Sequence, residues 1–175
     1  MNKAIFLDRD GVINDTKVSN GIPVPPKKLE ELTILPKVST SLNKLIKLQF
    51  KLIVITNQPD VARGKMKKET VESINNCLMQ KLPLDSIYTC FHDDNDYCEC
   101  RKPKPGALLK ASKAYNLDLS KSFMIGDRWK DVEAGKTAGC KTFFINNNYA
   151  EKKPNNYDYK VLSLYEASLI IESIH

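Results

Sequence analysis

Two aspartates stand at the end of the first apolar run of this 175-residue chain. Asp8 directly follows the run Ala4 to Leu7. Asp10 lies two residues after Asp8 and is followed by Gly11. Because alternate residues of a strand project to the same side, the two carboxylates would repel each other unless a cation or a shared proton lay between them. Such a pair suits Mg²⁺, which prefers a few oxygen ligands together with phosphate oxygens. The alternative is an Asp-rich turn without chemistry, so the other motifs must decide.

Two further aspartates are one helical turn apart, which places them on the same face at the beginning of a predicted helix. Asp127 follows the apolar run Phe123 to Ile125, and Asp131 comes one helical turn later. Together with Asp8 and Asp10 they are predicted to hold one Mg²⁺. Asp8 would then attack phosphorus and form an aspartyl-phosphate, while Asp10 would protonate the leaving alcohol and later deprotonate the attacking water.

Two donors complete the predicted chemistry. The Thr56 hydroxyl and the Lys102 ammonium could stabilise the charge on a phosphoryl group in transfer. Arg9 lies between the two acids. Strand periodicity predicts that its side chain faces away from them, and no chemistry is assigned to it.

Alternating strand-like and helix-like segments must position these groups. Continuous apolar strands separated by amphipathic helices predict an α/β fold, a Rossmann-like parallel sheet sandwiched by helices. In such a sheet the reactive groups collect beyond the carboxyl ends of the strands. The predicted strands are Ala4 to Leu7, Leu52 to Ile55, Ile87 to Phe91, Phe123 to Ile125 and Thr142 to Ile145. The predicted helices are Val38 to Leu48, Lys68 to Lys81, Gly106 to Tyr115, Lys130 to Ala138 and Leu162 to Ile174, the last against the sheet edge.

The segments outside these elements are predicted to be loops within a single domain of residues 1–175. Asn146 to Tyr159 is rich in Asn, Lys and Tyr, and the prolines at 23, 25 and 26 predict an extended surface loop. No insertion is large enough for a separate cap domain, so we expect an open site.

A cluster of cysteines with one histidine predicts a second metal site. Cys90, His92, Cys98 and Cys100 provide three thiols and one imidazole within eleven positions. Four closed ligands leave no open position for catalysis, so the predicted ion is a structural tetrahedral Zn²⁺ that pins a loop. Arg101 and Lys102 follow directly, so the zinc would fix the backbone that presents both cations. The alternative is a group of reduced cysteines beside a surface histidine.

Composition limits the partners and the compartment. The net charge of +6 and the pI of about 9.0 favour a polyanionic partner, yet the lysine clusters are short and are typical of a solvated surface, so nucleic acid is not expected. The five cysteines do not resemble a disulfide framework, and neither a signal peptide nor a membrane span is recognisable. We therefore expect a cytoplasmic protein, monomeric because no long apolar stripe is left over.

Four motifs in fixed order resemble those of the haloacid dehalogenase superfamily of phosphotransferases. They are Asp8-Arg9-Asp10-Gly11, Val54-Ile55-Thr56-Asn57, Lys102, and Gly126-Asp127-Arg128-Trp129-Lys130-Asp131. The resemblance implies the nucleophile, acid/base and Mg²⁺ roles given above, and a haloacid dehalogenase type of sheet.

The zinc loop that runs into Arg101-Lys102-Pro103 is similar to that of one branch of the superfamily. This branch holds heptose 1,7-bisphosphate 7-phosphatases and histidinol-phosphate phosphatases. The Ala62-Arg63-Gly64 element resembles the heptose enzymes, which implies removal of a sugar phosphate in nucleotide-heptose synthesis for lipopolysaccharide or another surface glycan. The resemblance implies substrate contacts by four residues, namely Asn57, Arg63, Arg101 and Arg128. The segment from Asp15 to Pro36 departs from the heptose pattern, so specificity is the least constrained feature.

Three other functions compete with this prediction. A histidinol-phosphate phosphatase would use the same loop and the same chemistry. A DNA 3′-phosphatase would suit the basic charge but needs a groove that the sequence does not indicate. A zinc-containing nucleic-acid binding module, in which the acids are only structural, would leave the four ordered motifs unexplained.

Overall fold

A parallel sheet of six strands forms the centre of the computed structural model, which describes residues 1–175. Eight strands occur along the chain: β1 (Lys3–Leu7), β2 (Lys17–Ser19), β3 (Ile22–Val24), β4 (Phe50–Asn57), β5 (Ser86–Cys90), β6 (Phe123–Gly126), β7 (Lys141–Ile145) and β8 (Tyr159–Val161). The sheet has the order β5-β4-β1-β6-β7-β8, and all of its neighbours are parallel. β2 and β3 pair separately as an antiparallel hairpin.

Five helices cover the two faces of the sheet. They are α1 (Val38–Lys47), α2 (Lys68–Lys81), α3 (Gly106–Tyr115), α4 (Trp129–Ala138) and α5 (Leu164–Ile174). Alternate residues of β1 enter different cores, since Ile5 and Leu7 pack with side chains of α1, α2 and α5 whereas Ala4 and Phe6 pack with α3 and α4. The predicted α/β sandwich is therefore confirmed.

The central position of β1 determines where the polar groups lie. Leu7 pairs with Val54 on one side and with Ile125 on the other. Since the three strands run parallel and in this register, the residues that follow them leave the sheet at the same edge.

The five predicted strands and five predicted helices are all present, with ends that differ by a few residues. The last helix begins at Leu164 and packs beside α1 on one face of the sheet, rather than only against its edge. None of the helices combines the length and apolar character needed to cross a membrane.

Two short elements were predicted to be loop and are not. The proline-containing segment holds the β2–β3 hairpin, which turns at Asn20 and Gly21, both with positive φ. Asn-Gly is a strong hairpin signal, and Pro23 is tolerated because a two-stranded ribbon leaves half of its backbone donors unpaired. The second element is β8, where Tyr159–Val161 adds a sixth strand beside β7.

Candidate active site

Three carboxylates converge at the carboxyl edge of the sheet. Asp8 follows β1, Asp127 follows β6, and Asp131 lies in the first turn of α4. Each contributes an oxygen to a group whose atoms lie within 4.8 Å of one another, and all three residues are buried. Buried like charges at this separation need a cation, so the geometry fits the predicted Mg²⁺ site.

The hydrogen bonds of Asp127 give an independent test of this fit. Its Oδ2 accepts from the Tyr149 hydroxyl at 2.7 Å and from the Asn147 amide at 3.0 Å. Its Oδ1 is buried and has no hydrogen-bond partner. A buried carboxylate oxygen without a donor is costly, and a cation would satisfy it.

The electrostatics of the cluster support the same interpretation. Burial raises the pKa of Asp8 to about 6, although Lys102 opposes the rise. Burial, followed by the charges of Asp8 and Asp131, raises the pKa of Asp127 well above its usual value. A bound divalent cation would favour the ionised form of each carboxylate.

Gly11 is required by the close approach of β6 to the loop after β1. Its φ is +86°, and a Cβ there would lie 1.9 Å from Oδ2 of Asp127 and 2.7 Å from the Tyr149 hydroxyl. Any larger residue would displace the side chains that hold Asp127.

Lys102 connects the cluster to the second motif. Its Nζ donates to Asp8 Oδ1 at 2.8 Å and to the Ile55 carbonyl at 2.7 Å, and it lies 2.6 Å from Asp131 Oδ1. Burial alone would lower the pKa of Lys102, but Asp131 and Asp8 outweigh burial and raise it. The ammonium therefore stays charged beside the carboxylate predicted to be the nucleophile.

Asn57 holds the backbone of Lys102. Its amide nitrogen donates to the Lys102 carbonyl at 2.9 Å, and its oxygen accepts from the Lys102 N–H at 3.1 Å. Asn57 also lines the cavity described below, so a substrate contact would add to this positioning contact.

Asp10 was predicted to join the other acids as a metal ligand, and its carboxylate lies outside their group. It accepts from Asn14 at 2.9 Å and from Gln58 at 2.7 Å, and Gln58 also donates to the buried Thr56 hydroxyl at 2.9 Å. Asp10 still lines the cavity. The Asp10 side chain is therefore accessible from the cavity and separate from the three clustered carboxylates.

The predicted orientation of Arg9 is wrong. Its Nη2 lies 3.0 Å from Asp10 Oδ2, and the whole side chain is buried. The strand ends at Leu7, so the two-residue alternation that placed Arg9 opposite the acids no longer applies.

A cavity of about 430 Å³ opens above the acids, between the β2–β3 hairpin and the loops that follow β4 and β5. Its wall includes the hairpin residues Ile22 to Val24 and is rich in cations. The cationic residues of this wall are Lys27, Arg63, Lys65, Arg101, Arg128 and Lys130, whereas Lys102 lies on the floor of the cavity beside the acids. Such a wall suits an anionic ligand with more than one charged group.

The predicted substrate arginines all line this cavity, and each is held by an acid. Arg63 donates to Asp93 at 2.6 and 2.8 Å, and Arg101 donates to Asp94 at 2.8 Å. The hydrogen bond from Arg63 and that from the Asp94 backbone lower the pKa of Asp93 to about 2. Arg128 is paired with Glu151.

The four predicted zinc ligands meet in the loop after β5. The Cys90 sulfur lies 3.5 Å from His92 Nδ1 and 3.7 Å from the Cys98 sulfur, and the Cys100 sulfur lies 3.3 to 3.6 Å from the other three ligand atoms. Tetrahedral Zn–S bonds of about 2.3 Å imply edges of roughly 3.7 Å. The cluster therefore has the size of a closed tetrahedral site.

Sequence reasoning missed Tyr149, Asn147, Gln58 and the acids that hold the arginines. Gln58 directly follows the second motif, and this position could have indicated that it belongs to the site. Tyr149 and Asn147 lie in the segment predicted to be loop, which no spacing rule connects to Asp127.

Comparisons with known proteins agree with this geometry. The HAD-hydrolase-like family model matches residues 99–167. D-glycero-beta-D-manno-heptose-1,7-bisphosphate 7-phosphatase of Helicobacter pylori (strain J99) is 35% identical over 162 residues, which cover 89% of this chain and 90% of that protein. The Campylobacter jejuni enzyme, named for the alpha anomer, is 34% identical over 169 residues that cover 94% of this chain and 92% of its own.

A solved structure resembles the whole molecule. D,D-heptose 1,7-bisphosphate phosphatase from B. bronchiseptica, complexed with magnesium and phosphate, superposes with a TM-score of 0.85 at 26% identity and covers 99% of both chains. The four ordered motifs, the parallel sheet with the acids at its carboxyl edge and this similarity lead to one conclusion. The chain belongs to the haloacid dehalogenase superfamily, in the family of the heptose-bisphosphate 7-phosphatases, and is a phosphatase.

Proposed function

We propose that this phosphatase removes the 7-phosphate of D-glycero-D-manno-heptose 1,7-bisphosphate in nucleotide-heptose synthesis. The observation that carries the proposal is one cavity in which buried acids occupy the floor and several cations line the wall. A substrate with two phosphates matches both parts, since one phosphate reacts at the floor while the other binds at the wall. The relatives named for this activity support the choice.

The reacting phosphate would lie against Asp8. A carboxylate oxygen of Asp8 attacks phosphorus, the bond from phosphorus to the sugar oxygen breaks, and that oxygen takes a proton from Asp10. Asp10 then removes a proton from water, which attacks phosphorus, breaks the bond to Asp8 and releases inorganic phosphate. Lys102 and the Thr56 hydroxyl stabilise the charge on the phosphoryl oxygens.

Asp8, Asp127 and Asp131 would hold the Mg²⁺, with the unpartnered Oδ1 of Asp127 among the ligand atoms. When bound, the ion supplies Lewis-acid stabilisation of the phosphoryl charge. Zn²⁺ on Cys90, His92, Cys98 and Cys100 would have a structural role, because all four coordination positions are filled by protein.

The cationic wall would bind the second phosphate. Arg63 and Arg101 are oriented by Asp93 and Asp94, which belong to the zinc loop. The planar guanidinium group matches a phosphate through two parallel hydrogen bonds. We therefore assign substrate selection to these arginines, to Arg128 and to the β2–β3 hairpin.

Steady-state kinetics with purified substrates test the proposal. We expect kcat/KM for one anomer of the heptose 1,7-bisphosphate to exceed that for histidinol phosphate by at least about 100-fold, because only the bisphosphate uses the wall. Both anomers must be assayed, since the relatives are named for either one. A higher kcat/KM for histidinol phosphate or for a 3′-phosphorylated oligonucleotide would overturn the assignment. The single domain and the monomeric state remain predictions, which light scattering and limited proteolysis can test.

A further inference from the structure

Arg9 lies between the two acids of the first motif and is completely buried. A guanidinium group without water is costly unless its donors are used. All three of its nitrogens are used: Nε and Nη2 donate to Asp10 Oδ1 at 3.3 and 3.1 Å, Nη2 lies 3.0 Å from Oδ2, and Nη1 donates to Asn75 Oδ1 at 2.9 Å.

Asn75 connects this guanidinium group to the body of the fold. It lies on α2 and is itself buried, and its amide nitrogen donates to the Thr89 hydroxyl of β5 at 3.0 Å. A chain of side chains therefore runs from the sheet through Thr89, Asn75 and Arg9 to Asp10. The end of this series away from Asp10 is held by helix α2 and strand β5 rather than by a loop.

This hydrogen-bonded series of side chains explains why Asp8 and Asp10, only two residues apart, have different surroundings. Asp8 lies within the group of three carboxylates that faces Lys102, whereas Asp10 is outside that group. The planar fork of an arginine holds a carboxylate in one orientation, which the single point charge of a lysine does not. Asn14 and Gln58 complete the shell around Asp10.

We propose that Arg9, supported by Asn75 and Thr89, is the positioning residue for Asp10. It keeps the Asp10 carboxylate apart from the group of three carboxylates and fixes its orientation for proton transfer. The inference rests on the proposed function in one respect, namely that Asp10 donates the proton to the leaving group. Arg9 touches neither substrate nor metal in this scheme. It acts through the orientation of the Asp10 carboxylate.

The dependence of rate on the leaving group separates this role from a structural one. A sugar alkoxide needs a proton as its bond to phosphorus breaks, whereas p-nitrophenolate leaves without one. The ratio kcat/KM reports the steps up to departure of the leaving group, so the later use of Asp10 as a base does not affect it. A variant in which Asp10 is misplaced should therefore lose activity selectively on the alkyl phosphate.

The test compares the alkyl phosphate that the wild type hydrolyses best with p-nitrophenyl phosphate, both with Mg²⁺ present. For Arg9→Lys we expect kcat/KM on the alkyl phosphate to fall about 100-fold and on p-nitrophenyl phosphate by less than about threefold. Asn75→Ala does not replace Arg9 or Asp10 but removes the hydrogen bond that orients the Arg9 guanidinium group, and it should show the same selectivity at about tenfold. Thr89→Val, which removes only the last link, should show the smallest selective loss.

Asp10→Asn is the reference variant, since it removes the proton donor itself. One outcome is that Asp10→Asn shows the selective loss, whereas in folded Arg9→Lys and Asn75→Ala the values of kcat/KM for both substrates fall by the same factor. This outcome refutes the role of Arg9 and leaves the phosphatase mechanism intact. If Asp10→Asn itself shows no selectivity, the acid assignment and the role of Arg9 both fail. Should Arg9→Lys not fold, Asn75→Ala decides alone.

Discussion

The floor and the wall of the cavity are built in different ways. On the floor, the side chains of Asp131 and Lys102 are each 2% exposed. Asp131 lies in the first turn of α4, and Lys102 lies in the loop before α3, where Asn57 at the end of β4 holds its backbone. On the wall, Arg63 is 36% and Asp94 is 64% exposed. The ion pair of Arg63 with Asp93 joins the loops that carry them, and the Cys/His cluster lies at the end of β5 and in the loop that follows. We therefore expect the buried floor to determine the reacting geometry and the more exposed loop contacts to determine which substrate is bound. Catalytic rate and substrate affinity should respond to different substitutions.

The largest effect should come from the floor. Asp8→Asn removes the proposed nucleophile, and we expect kcat to fall by about 10⁴-fold or more. Zinc content and the far-UV circular dichroism spectrum should not change, because Asp8 lies outside the zinc loop. Turnover within tenfold of the wild type would contradict the nucleophile assignment and, with it, the difference between floor and wall.

The next effect concerns the support of Asp127. Tyr149→Phe removes a 2.7 Å hydrogen bond to Asp127 Oδ2 without changing the ring. We expect the Mg²⁺ concentration for half-maximal activity to rise by about 10-fold, with kcat at saturating Mg²⁺ largely restored. Tyr157→Phe, in the same segment, is the matched control, since its hydroxyl makes no contact with Asp127. Equal Mg²⁺ requirements in the two variants would show that Tyr149 does not hold the site.

A substitution in the zinc loop should affect the wall instead. Cys98→Ser should lower the zinc stoichiometry, measured by inductively coupled plasma mass spectrometry, and release the segment that carries Asp93 and Asp94. Because those acids orient Arg63 and Arg101, we expect KM for the bisphosphate to rise by about 10-fold, the effect of one charge-assisted hydrogen bond. The change in kcat should be smaller, since Asn57 independently holds the Lys102 backbone. Cys77→Ser is the control, because Cys77 lies on α2 outside the zinc cluster. A fall in kcat without a rise in KM would contradict the separation of floor and wall.

The smallest effect is a dependence of stability on pH. The pKa of Asp8 is raised to about 6 and that of Asp127 is also raised, so the metal-free folded state binds protons that the unfolded chain does not. The contribution of Asp8 to stability is present below the unfolded pKa of about 4 and is lost as the pH rises through about 6, and that of Asp127 is lost as the pH rises through its own raised pKa. Mg²⁺ should therefore raise Tm by a few degrees more at about pH 7.5 than at about pH 5. Differential scanning fluorimetry measures this, and Asp127→Asn should weaken the dependence. A Mg²⁺ effect that is constant with pH would exclude these carboxylates as its source.

The floor was more predictable from the sequence than the wall. Asp8 and Asp127 directly follow apolar runs and Asp131 lies in the same motif as Asp127, so parallel strands bring the three acids together without further information. Lys102 lies in a loop, and its motif rather than a strand end predicted its place. The clustering of Cys90, His92, Cys98 and Cys100 was predictable for a similar reason, since the four residues are close together in the chain. The partners of the arginines were not predictable, because Glu151 and the Asp93–Asp94 pair are ordinary surface acids in the sequence.

Two errors have local causes. Arg9 was assigned by strand alternation beyond the point where the strand ends, and only the packing of α2 shows where its guanidinium group lies. The prolines at 23, 25 and 26 led to the prediction of a loop, whereas Asn20-Gly21 is a turn signal that favours the observed hairpin. Tyr149 could not be found by any periodicity, since its contact with Asp127 depends on how a loop folds back over the sheet.

The position of β1 has a consequence for the synthesis of the protein. The first strand leaves the ribosome early, but Ile5 pairs with Leu52 on one side and with Phe123 on the other. Contacts of such long sequence separation cannot form until the later partner has been made. Asp8 therefore lies next to an exposed apolar strand until Phe123 of β6 has emerged. Nascent chains of this phosphatase should be inactive until the chain has passed β6, Asp127 and Asp131, and they should gain activity in one late step.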